Sequence, residues 1–307
     1  MNVVPVSEEA RQLWRESLAG AKRILVLGAG GWFGKTALAL SDLDLQDFML
    51  VGSSARKMRV GDRLVEIIVW SEEEITQFRP DLILDFAFLT RNWITEIGEA
   101  EFVLRNRALI NRLNWLTKLE SVSSVVTVSS GASQGATGDL YGEMKLEVEN
   151  LVRGVAEVRG LSAVIARVWS VSRGLVSNPG MYAFSSFAND ALTKGAIKVD
   201  SDRPVQRRYC AVEEVLAVSA YMIRQGGINL LESGGDKIEF LDLAYLIADL
   251  VGGVRVTAPN RSELPIESAS YISDNSLWLA SLEASSLKPL TIEEQAKNVI
   301  QHLSSRS

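Results

Sequence analysis

The stretch RILVLGAGGWFGKTALAL, residues 23–40, decides the fold of this chain. Its opening apolar run predicts a buried strand, and the residues after the glycines predict a helix over 33–41. We expect Gly28 to turn the chain out of the strand, Gly31 to let the backbone approach a pyrophosphate, and Gly34 to let the helix pack closely. A glycine run in this position predicts a dinucleotide site with phosphates at the helix N-terminus. The alternative is an ordinary glycine turn.

The end of the next predicted strand indicates which dinucleotide binds. Ser53, Ser54 and Arg56 follow the apolar run 48–51, where NAD-preferring sites usually carry Asp or Glu. A guanidinium can pair with a 2′-phosphate, so we expect NADP(H), with NAD possible. The alternative for Arg56 is an exposed loop position. The predicted cofactor-binding residues of these two segments are Gly28, Gly31, Trp32, Phe33, Gly34, Ser53, Ser54 and Arg56.

Strands and helices alternate as far as about residue 170. Most of the apolar runs lack the alternation of a half-buried strand, which is typical of strands buried on both faces of a parallel sheet. The pattern predicts an α/β fold with a doubly wound parallel sheet of the Rossmann type. The further strands are expected at 64–69, 81–87, 125–128 and 163–168, and the further helices at 97–119 and 140–155.

The pattern changes after residue 170, where we expect a smaller, partly interwoven C-terminal α/β domain that binds substrate. Helices are expected at 181–192, 210–224 and 241–251, with a loop at 172–180 and a strand at 197–199. The predicted dinucleotide-binding domain comprises residues 22–170 and about 207–232, and the substrate-binding domain comprises 171–206 and 233–307. Residues 1–21 form an N-terminal arm with one helix, roughly Ser7 to Leu18.

Three residues near the fifth strand predict proton-transfer chemistry. Tyr141 and Lys145 are four residues apart, so they share one face of the helix 140–155. A nearby ammonium is expected to lower the phenol pKa and make Tyr141 a usable acid or base. Ser130 ends the preceding strand, where open α/β sheets bind ligands, and is expected to hold a substrate oxygen. The alternative is a surface Tyr and Lys on one helix.

The totals exclude several other functions. The chain has 307 residues, a net charge of −6, one cysteine (Cys210) and one histidine (His302). We therefore expect no disulfide framework, no metal site and no nucleic-acid partner. No apolar run reaches the roughly 18 residues of a membrane span, and the N-terminus does not resemble a signal peptide. We expect a cytoplasmic enzyme with a small-molecule substrate and no membrane partner.

The order of glycine turn, strand-end serine and Tyr-x-x-x-Lys resembles the extended short-chain dehydrogenase/reductase family over roughly residues 22–300. Within it, the chain resembles the NAD(P)-dependent nucleotide-sugar epimerase, dehydratase and reductase branch. The resemblance implies that Ala87 lies along the cofactor and that Arg207 binds the nucleotide diphosphate of the substrate. It also implies a homodimer, in which helices 97–119 and 140–155 pair as a four-helix bundle. The alternative for Arg207 is an exposed position before a helix.

The chain departs from this family at three places. The family's Asn after the sixth strand is replaced in the run Arg167-Val168-Trp169-Ser170. The interval from Ser130 to Tyr141 is short, which implies a missing active-site loop. Gly131 and Ala132 stand where sugar dehydratases of this type carry Asp and Glu, so we expect no 4,6-dehydratase activity.

These residues predict an NADP(H)-dependent reductase of a keto-sugar nucleotide. In that reaction a hydride passes to the sugar carbonyl carbon, Tyr141 protonates the nascent alkoxide, and Ser130 holds that oxygen. One alternative is an NAD(P)-dependent nucleotide-sugar epimerase, which oxidises and re-reduces one carbon. A second alternative is a non-catalytic NADP-binding regulator, against which the complete set of Ser130, Tyr141 and Lys145 argues.

Overall fold

A computed structural model describes residues 6–41, 47–135, 137–173, 175–176, 178–259 and 269–305. These residues form eleven α-helices and fourteen strands. The helices are Glu8–Leu18 (α1), Trp32–Leu40 (α2), Glu72–Phe78 (α3), Asn92–Ile97 (α4), Glu99–Leu116 (α5), Leu140–Arg159 (α6), Ala183–Lys194 (α7), Val212–Gln225 (α8), Phe240–Val251 (α9), Ser276–Ser285 (α10) and Ile292–Ser304 (α11). The strands are Arg23–Leu27 (β1), Asp47–Val51 (β2), Arg56–Val60 (β3), Arg63–Ile67 (β4), Leu82–Asp85 (β5), Ser124–Ser130 (β6), Ser162–Val168 (β7), Val171–Ser172 (β8), Ala196–Lys198 (β9), Val205–Ala211 (β10), Ile228–Glu232 (β11), Asp236–Glu239 (β12), Arg255–Thr257 (β13) and Ala269–Ser270 (β14).

A six-stranded parallel sheet confirms the predicted doubly wound α/β fold. Its spatial order is β11-β7-β6-β5-β1-β2, and every neighbouring pair is parallel. The chain begins at β1, moves outward to β2, and later returns to the other side of β1 with β5. The strand order therefore reverses between β1 and β5, and ligands of open α/β sheets bind at the carboxyl ends of the strands at such a point.

The strand predicted at 64–69 is wrong as a member of the parallel sheet. Residues 63–67 instead pair antiparallel with β3 in a separate hairpin, turned at Gly61 with a φ of +58°. Only Ile68 reaches the sheet, through a single parallel bridge to Val51. This segment does not join the parallel sheet because it is not buried on both faces. Leu64, at its start, is 60% exposed.

Glycines set several helix ends that sequence alone placed approximately. The helix predicted at 97–119 is divided into α4 and α5 by Gly98, whose φ is +80°. Helix α6 continues beyond the predicted residue 155 to Arg159 and ends at Gly160 in the left-handed region. The helix predicted at 210–224 is wrong at its start, because Cys210 and Ala211 still belong to β10. Helix α8 begins at Val212 because the Glu214 carboxylate accepts the Ala211 N–H.

The part of the chain beyond residue 170 adds smaller sheets and a third core. Strands β12, β10 and β14 form one sheet, β8 pairs with β10, and β13 pairs with β9. Helices α7, α9 and α11 enclose an apolar cluster that contains Phe184, Leu243 and Val299. Helices α3, α10 and α11 were not predicted from sequence. The predicted domain boundaries at 170, 207 and 232 stay predictions.

The described part of the predicted N-terminal arm is a packed helix. Residues 1–5 of that arm lie outside the described residues, and α1 begins after Ser7, whose hydroxyl accepts the Ala10 N–H at 3.2 Å. Ala10, Trp14 and Leu18 are each buried to 2% exposure or less, in the same core cluster as apolar residues of α2 and α8. Helix α1 is therefore part of the main core.

No helix among the described residues has both the length and the apolar character needed to cross a membrane. The same residues contain no group of three or more His, Cys, Asp or Glu side chains placed to hold a metal ion.

Candidate active site

The glycine turn between β1 and α2 has no room for a side chain at Gly28 or Gly34. Gly28 has a φ of +72°, and a Cβ placed on it would lie 2.8 Å from the Phe86 carbonyl carbon. A Cβ on Gly34 would lie 2.5 Å from the carbonyl oxygen of Gly28. Gly31 immediately precedes α2, so the unpaired N–H groups of this helix end face the turn. This geometry fits the pyrophosphate of a dinucleotide, which an N-terminal helix end stabilises.

Arg56 lies directly against the glycine turn. A Cβ placed on Gly30 would come within 1.9 Å of Arg56 Nη2, and Arg56 Nη1 donates a hydrogen bond to Ser54 Oγ at 3.3 Å. Arg56 is the first residue of β3 and not part of a loop. Ser53 and Ser54 are exposed beside it, and residues 52–59 contain no carboxylate. An exposed guanidinium and two hydroxyls without a nearby acid fit an adenosine ribose that carries a 2′-phosphate.

A cavity of about 460 Å³ lies next to the turn, at the carboxyl ends of β5, β6 and β7. Ala87 follows β5, and its backbone nitrogen lies 2.9 Å from the position of a Gly28 Cβ, beside the turn. The cavity brings together seven of the residues predicted from sequence. They are Gly31, Trp32, Phe33, Ser130, Tyr141, Lys145 and Arg207.

Trp32 and Phe33 form the wall of the cavity nearest the turn. Trp32 Nε1 donates a hydrogen bond to the Arg173 carbonyl oxygen at 2.7 Å, and its ring lies 5.0 Å from the ring of Tyr182. The ring of Phe33 lies 6.0 Å from that of Phe86, at the end of β5. Two side chains at the start of α2 thus enclose the space next to the candidate pyrophosphate site.

Ser130 and Tyr141 both line the cavity, close enough for a hydrogen bond between their hydroxyls. Ser130 is the last residue of β6, and Tyr141 is the second residue of α6. Burial raises the pKa of Tyr141 to about 12, while a hydrogen bond with Ser130 and the charge of Arg91 oppose that rise. The expected lowering of this pKa is therefore wrong. At neutral pH the phenol is protonated, which suits a proton donor.

Lys145 is buried one turn along α6 from Tyr141. Its ammonium donates a hydrogen bond to the Val128 carbonyl oxygen at 2.8 Å and lies 3.9 Å from the ring centroid of Phe88. Burial lowers its pKa to about 8, and the charges of Asp85 and Glu149 oppose that shift. The ammonium is thus held against a strand carbonyl and an aromatic ring.

Asp85 is a further buried acid behind Lys145 that sequence analysis did not select. It ends β5, where it accepts a hydrogen bond from Thr127 Oγ1 at 2.8 Å. Burial raises its pKa, and the Thr127 hydrogen bond and Lys145 oppose that rise. In the sequence, Asp85 can be recognised as a carboxylate at the end of a strand, but its burial cannot.

A buried ion-pair network fixes the strand that carries Ser130. Arg167 Nη2 lies 2.7 Å from one Glu149 oxygen, and Arg167 Nη1 lies 3.1 Å from Glu232. The Glu149 carboxylate also accepts hydrogen bonds from the hydroxyls of Ser129 and Ser133 at 2.5 and 2.6 Å. Glu149 is only 1% exposed. It follows Lys145 by four residues, so the network and the catalytic candidates share one face of α6.

Trp169 fills the position beside Gly131. A Cβ on Gly131 would lie 2.3 Å from Trp169 Cδ2, so only glycine accommodates this indole. Trp169 Nε1 is buried, and no described residue accepts a hydrogen bond from it. This aromatic side chain belongs to the run in which the family's Asn is replaced, and it lines the cavity.

Tyr271 reaches the site from the C-terminal part of the chain. Its hydroxyl lies 3.2 Å from Ser130 Oγ, and its ring centroid lies 4.7 Å from that of Trp169. Its pKa is raised, mainly by burial. No local motif marks this residue, because it is 141 positions from Ser130 in sequence and meets it only through the fold.

Arg207 lies between two aromatic rings at the far wall of the cavity. Its guanidinium carbon is 5.3 Å from the ring centroid of Phe240 and 5.6 Å from that of Tyr271. Nη1 also donates a hydrogen bond to the Gln206 carbonyl oxygen at 2.8 Å. The alternative of an exposed position is wrong, because Arg207 is half-buried and lines the cavity; burial lowers its pKa.

Comparisons with known proteins identify the fold. No protein-family model matches the chain, and no curated protein matches its sequence. A UDP-glucose 4-epimerase from Brucella ovis in complex with NAD is 17% identical, with 92% of this chain and 98% of that chain covered and a TM-score of 0.72. A UDP-N-acetylglucosamine 4-epimerase from Methanobrevibacter ruminantium M1, in complex with UDP-N-acetylmuramic acid, is 18% identical, with 93% and 99% covered and a TM-score of 0.72.

A third solved structure, the NAD-dependent NDP-hexosamine 5,6-dehydratase TunA of tunicamycin biosynthesis, is 14% identical, with 93% and 99% covered and a TM-score of 0.73. Likeness at these identities concerns the fold. The chain therefore has the fold of the extended short-chain dehydrogenases/reductases, as its sequence predicted, and it spans nearly the whole length of these three structures.

Proposed function

We propose that this chain is an NAD(P)-dependent enzyme that epimerises a nucleotide sugar. The observation that carries the proposal is the meeting of Ser130, Tyr141 and Lys145 in one cavity, beside a turn that admits no side chain at Gly28 or Gly34. The fold supports the same conclusion, since two of the similar structures described above are named as UDP-sugar 4-epimerases. The epimerase is therefore placed above the keto-sugar nucleotide reductase, which the sequence alone favours.

The cofactor site fits a dinucleotide at three points. The glycine turn leaves space only for backbone, the N-terminus of α2 offers unpaired N–H groups, and Arg56 lies beside the turn with Ser54. When bound, the nicotinamide supplies the chemistry of hydride acceptance and return. NADP is favoured by Arg56, whereas the Brucella ovis epimerase is described in complex with NAD. The affinities of the protein for NADP(H) and for NAD(H) are therefore to be compared.

The residues of the chain would move and hold protons at one sugar oxygen. Tyr141 gives a proton to that oxygen as a carbonyl is reduced, and takes it back as the hydroxyl is oxidised. Ser130 Oγ donates a hydrogen bond to the same oxygen. Lys145, with its pKa of about 8, is an ammonium at neutral pH and would hold the hydroxyls of the nicotinamide ribose. Arg207 would hold the diphosphate through its planar guanidinium.

A reductase of a keto-sugar nucleotide is the second candidate. Two observations favour it: Arg56 suits NADPH, and the raised pKa of Tyr141 suits a donor better than an acceptor. An epimerase interconverts two sugars with no net use of cofactor. A reductase consumes one NADPH for each keto sugar reduced.

One experiment separates the candidates. The protein is incubated with a panel of UDP- and dTDP-sugars in the presence of NAD+ or NADP+, and with their 4-keto derivatives in the presence of NADPH, while nicotinamide absorbance and sugar composition are followed together. Conversion between two epimers at constant absorbance supports the epimerase. Stoichiometric loss of NADPH with a keto sugar supports the reductase. If neither occurs although NADPH binds, the non-catalytic regulator replaces both. The homodimer and the cytoplasmic location stay predictions.

A further inference from the structure

Helix α1 contacts the C-terminal end of α2, the helix whose N-terminus forms the candidate pyrophosphate site. The extension that carries α1 precedes the first strand of the sheet, and its apolar face is part of the main core. Polar side chains of α1 reach the last residues of α2 directly. The first residue of α2 is held by the loop after β8, and an ion pair joins this loop to α8, the helix against which α1 packs.

At the C-terminus of α2 the contacts are direct. Trp14 Nε1 donates a hydrogen bond to Ser41 Oγ at 3.0 Å, and Ser41 Oγ donates to the Ala37 carbonyl oxygen at 2.8 Å. Arg15 Nε donates to the Leu40 carbonyl oxygen at 3.2 Å. Last-turn carbonyls of a helix lack partners within the helix, and a cation is favourable there. Residues of α1 therefore fix the end of α2.

The N-terminal end of α2 is held through a buried ion pair. Glu213 belongs to α8, the helix against which α1 packs, and burial raises the pKa of its carboxyl while the charge of Arg173 opposes that rise. Glu213 lies 2.9 Å from Arg173 Nη1, and both side chains are 4% exposed or less. The Arg173 carbonyl oxygen accepts the hydrogen bond from Trp32 Nε1 at 2.7 Å. Trp32 is the first residue of α2 and lines the cavity.

The loop after β8 holds α2 at one more point. The backbone N–H of Leu175 donates a hydrogen bond to Thr36 Oγ1 at 3.3 Å, and Thr36 is fully buried. A buried ion pair with one partner removed leaves an uncompensated charge, so the position of Arg173 depends strongly on Glu213. The orientation of Trp32 therefore depends on the loop after β8 and, through Arg173, on α8, the helix against which α1 packs.

We infer that α1 positions the phosphate-binding end of α2, so that docking of α1 and binding of the dinucleotide stabilise each other. Trp14, Arg15, Glu213 and Arg173 are then positioning residues for the cofactor site. The inference rests on the proposed function, because it assumes that a dinucleotide binds at this helix end. Coupling between two sites is reciprocal, so bound dinucleotide must hold α1 in place as strongly as α1 favours the dinucleotide.

Hydrogen exchange of the full-length wild-type protein tests this directly. Amide exchange is measured over 8–18 with and without saturating NADPH, with residues 99–116 of α5 as the internal control. Helix α5 packs in an apolar cluster that contains Phe102, Ile110 and Leu113 and no residue of α1 or α2. We expect NADPH to slow local exchange in α1 about tenfold or more and to leave α5 unchanged. Equal rates in α1 with and without bound NADPH would overturn the inference.

A pair of full-length variants gives an independent measurement. Trp14→Phe combined with Arg15→Ala removes both donors to the end of α2 and keeps an aromatic ring in the core. The net strength of the two hydrogen bonds sets an upper limit of about thirtyfold on the rise in the Kd for NADPH, and we expect a rise of at least about threefold. Ile247→Val, in the third core cluster, is the control for a general loss of stability. We expect it to lower the melting temperature comparably without changing that Kd.

Failure of this inference and failure of the proposed function give different results. If NADPH binds to the wild type but the double variant binds it equally well, the inference alone is overturned. If both variants weaken binding to the same extent at equal stability, α1 has no particular connection to the site and the inference is again overturned. If the wild type binds neither NADPH nor NADH, the proposed function is overturned and the inference with it.

Discussion

Replacing Arg56 with alanine should change which dinucleotide the protein prefers. The guanidinium lies against the glycine turn at Gly30 and donates to Ser54, so it stands where a ribose 2′-phosphate would bind. A hydrogen bond to a charged group contributes about 1.5–3 kcal/mol. Arg56 is exposed, and solvent screening favours the lower end of that range. One tenfold change in affinity corresponds to about 1.4 kcal/mol. Arg56→Ala should therefore weaken NADPH binding about tenfold, and at most about a hundredfold.

The affinity for NADH should change less than about twofold, because NADH lacks the 2′-phosphate. The matched control is Lys57→Ala, which removes the neighbouring cation. Successive residues of a strand point to opposite faces, so Lys57 in β3 points away from the turn. Kd values are measured by fluorescence titration of both nucleotides at fixed ionic strength. A wild type that prefers NADH would refute the reasoning, and so would an equal effect of Arg56→Ala and Lys57→Ala on NADPH.

Four further changes test the rest of the site. Tyr141→Phe removes the acid and should lower turnover about 10²- to 10⁴-fold with cofactor Kd unchanged; near-normal turnover would exclude it as the proton donor. Gly131→Ala forces Trp169 to move, since the new Cβ would lie 2.3 Å from it; we expect a loss of about 1–3 kcal/mol in unfolding experiments, and unchanged stability would contradict this packing. Arg207→Ala should raise KM for a nucleotide sugar, and wild-type kinetics would reject its role. Glu149→Gln breaks a buried ion pair and should cost about 3–5 kcal/mol in denaturant unfolding; a cost below about 1 kcal/mol would count against the network.

The parts of the site that sequence predicted are those encoded over short distances. The glycine turn is a local pattern that only backbone without side chains satisfies, and Tyr141 and Lys145 lie one helical turn apart. Ser130 was identifiable because it ends an apolar run. Each of these features depends on residues that lie within about a dozen positions of one another, so it can be recognised in the sequence.

The parts that sequence did not predict depend on tertiary contacts. Tyr271 meets Ser130 across 141 positions, and its role follows only from the arrangement of β6 and the C-terminal segment. The contacts of Lys145 also depend on the fold, since its ammonium meets the Val128 carbonyl oxygen and the Phe88 ring. The pKa of Tyr141 is raised and not lowered, because burial outweighs the hydrogen bond with Ser130 and the charge of Arg91.

The hairpin of β3 and β4 has a consequence for how this protein avoids association through its sheet. Strand β2 lies at the end of the parallel sheet, where an open edge could pair with a strand of another molecule. Gly52 and Ile68 close part of that edge, because Gly52 N–H donates to the Ile68 carbonyl oxygen and Ile68 N–H to that of Leu50. The hairpin beyond it carries Arg59 and Arg63, charges that disfavour strand addition. Residues 63–68, which do not form a seventh strand of the parallel sheet, thus protect its edge against aggregation.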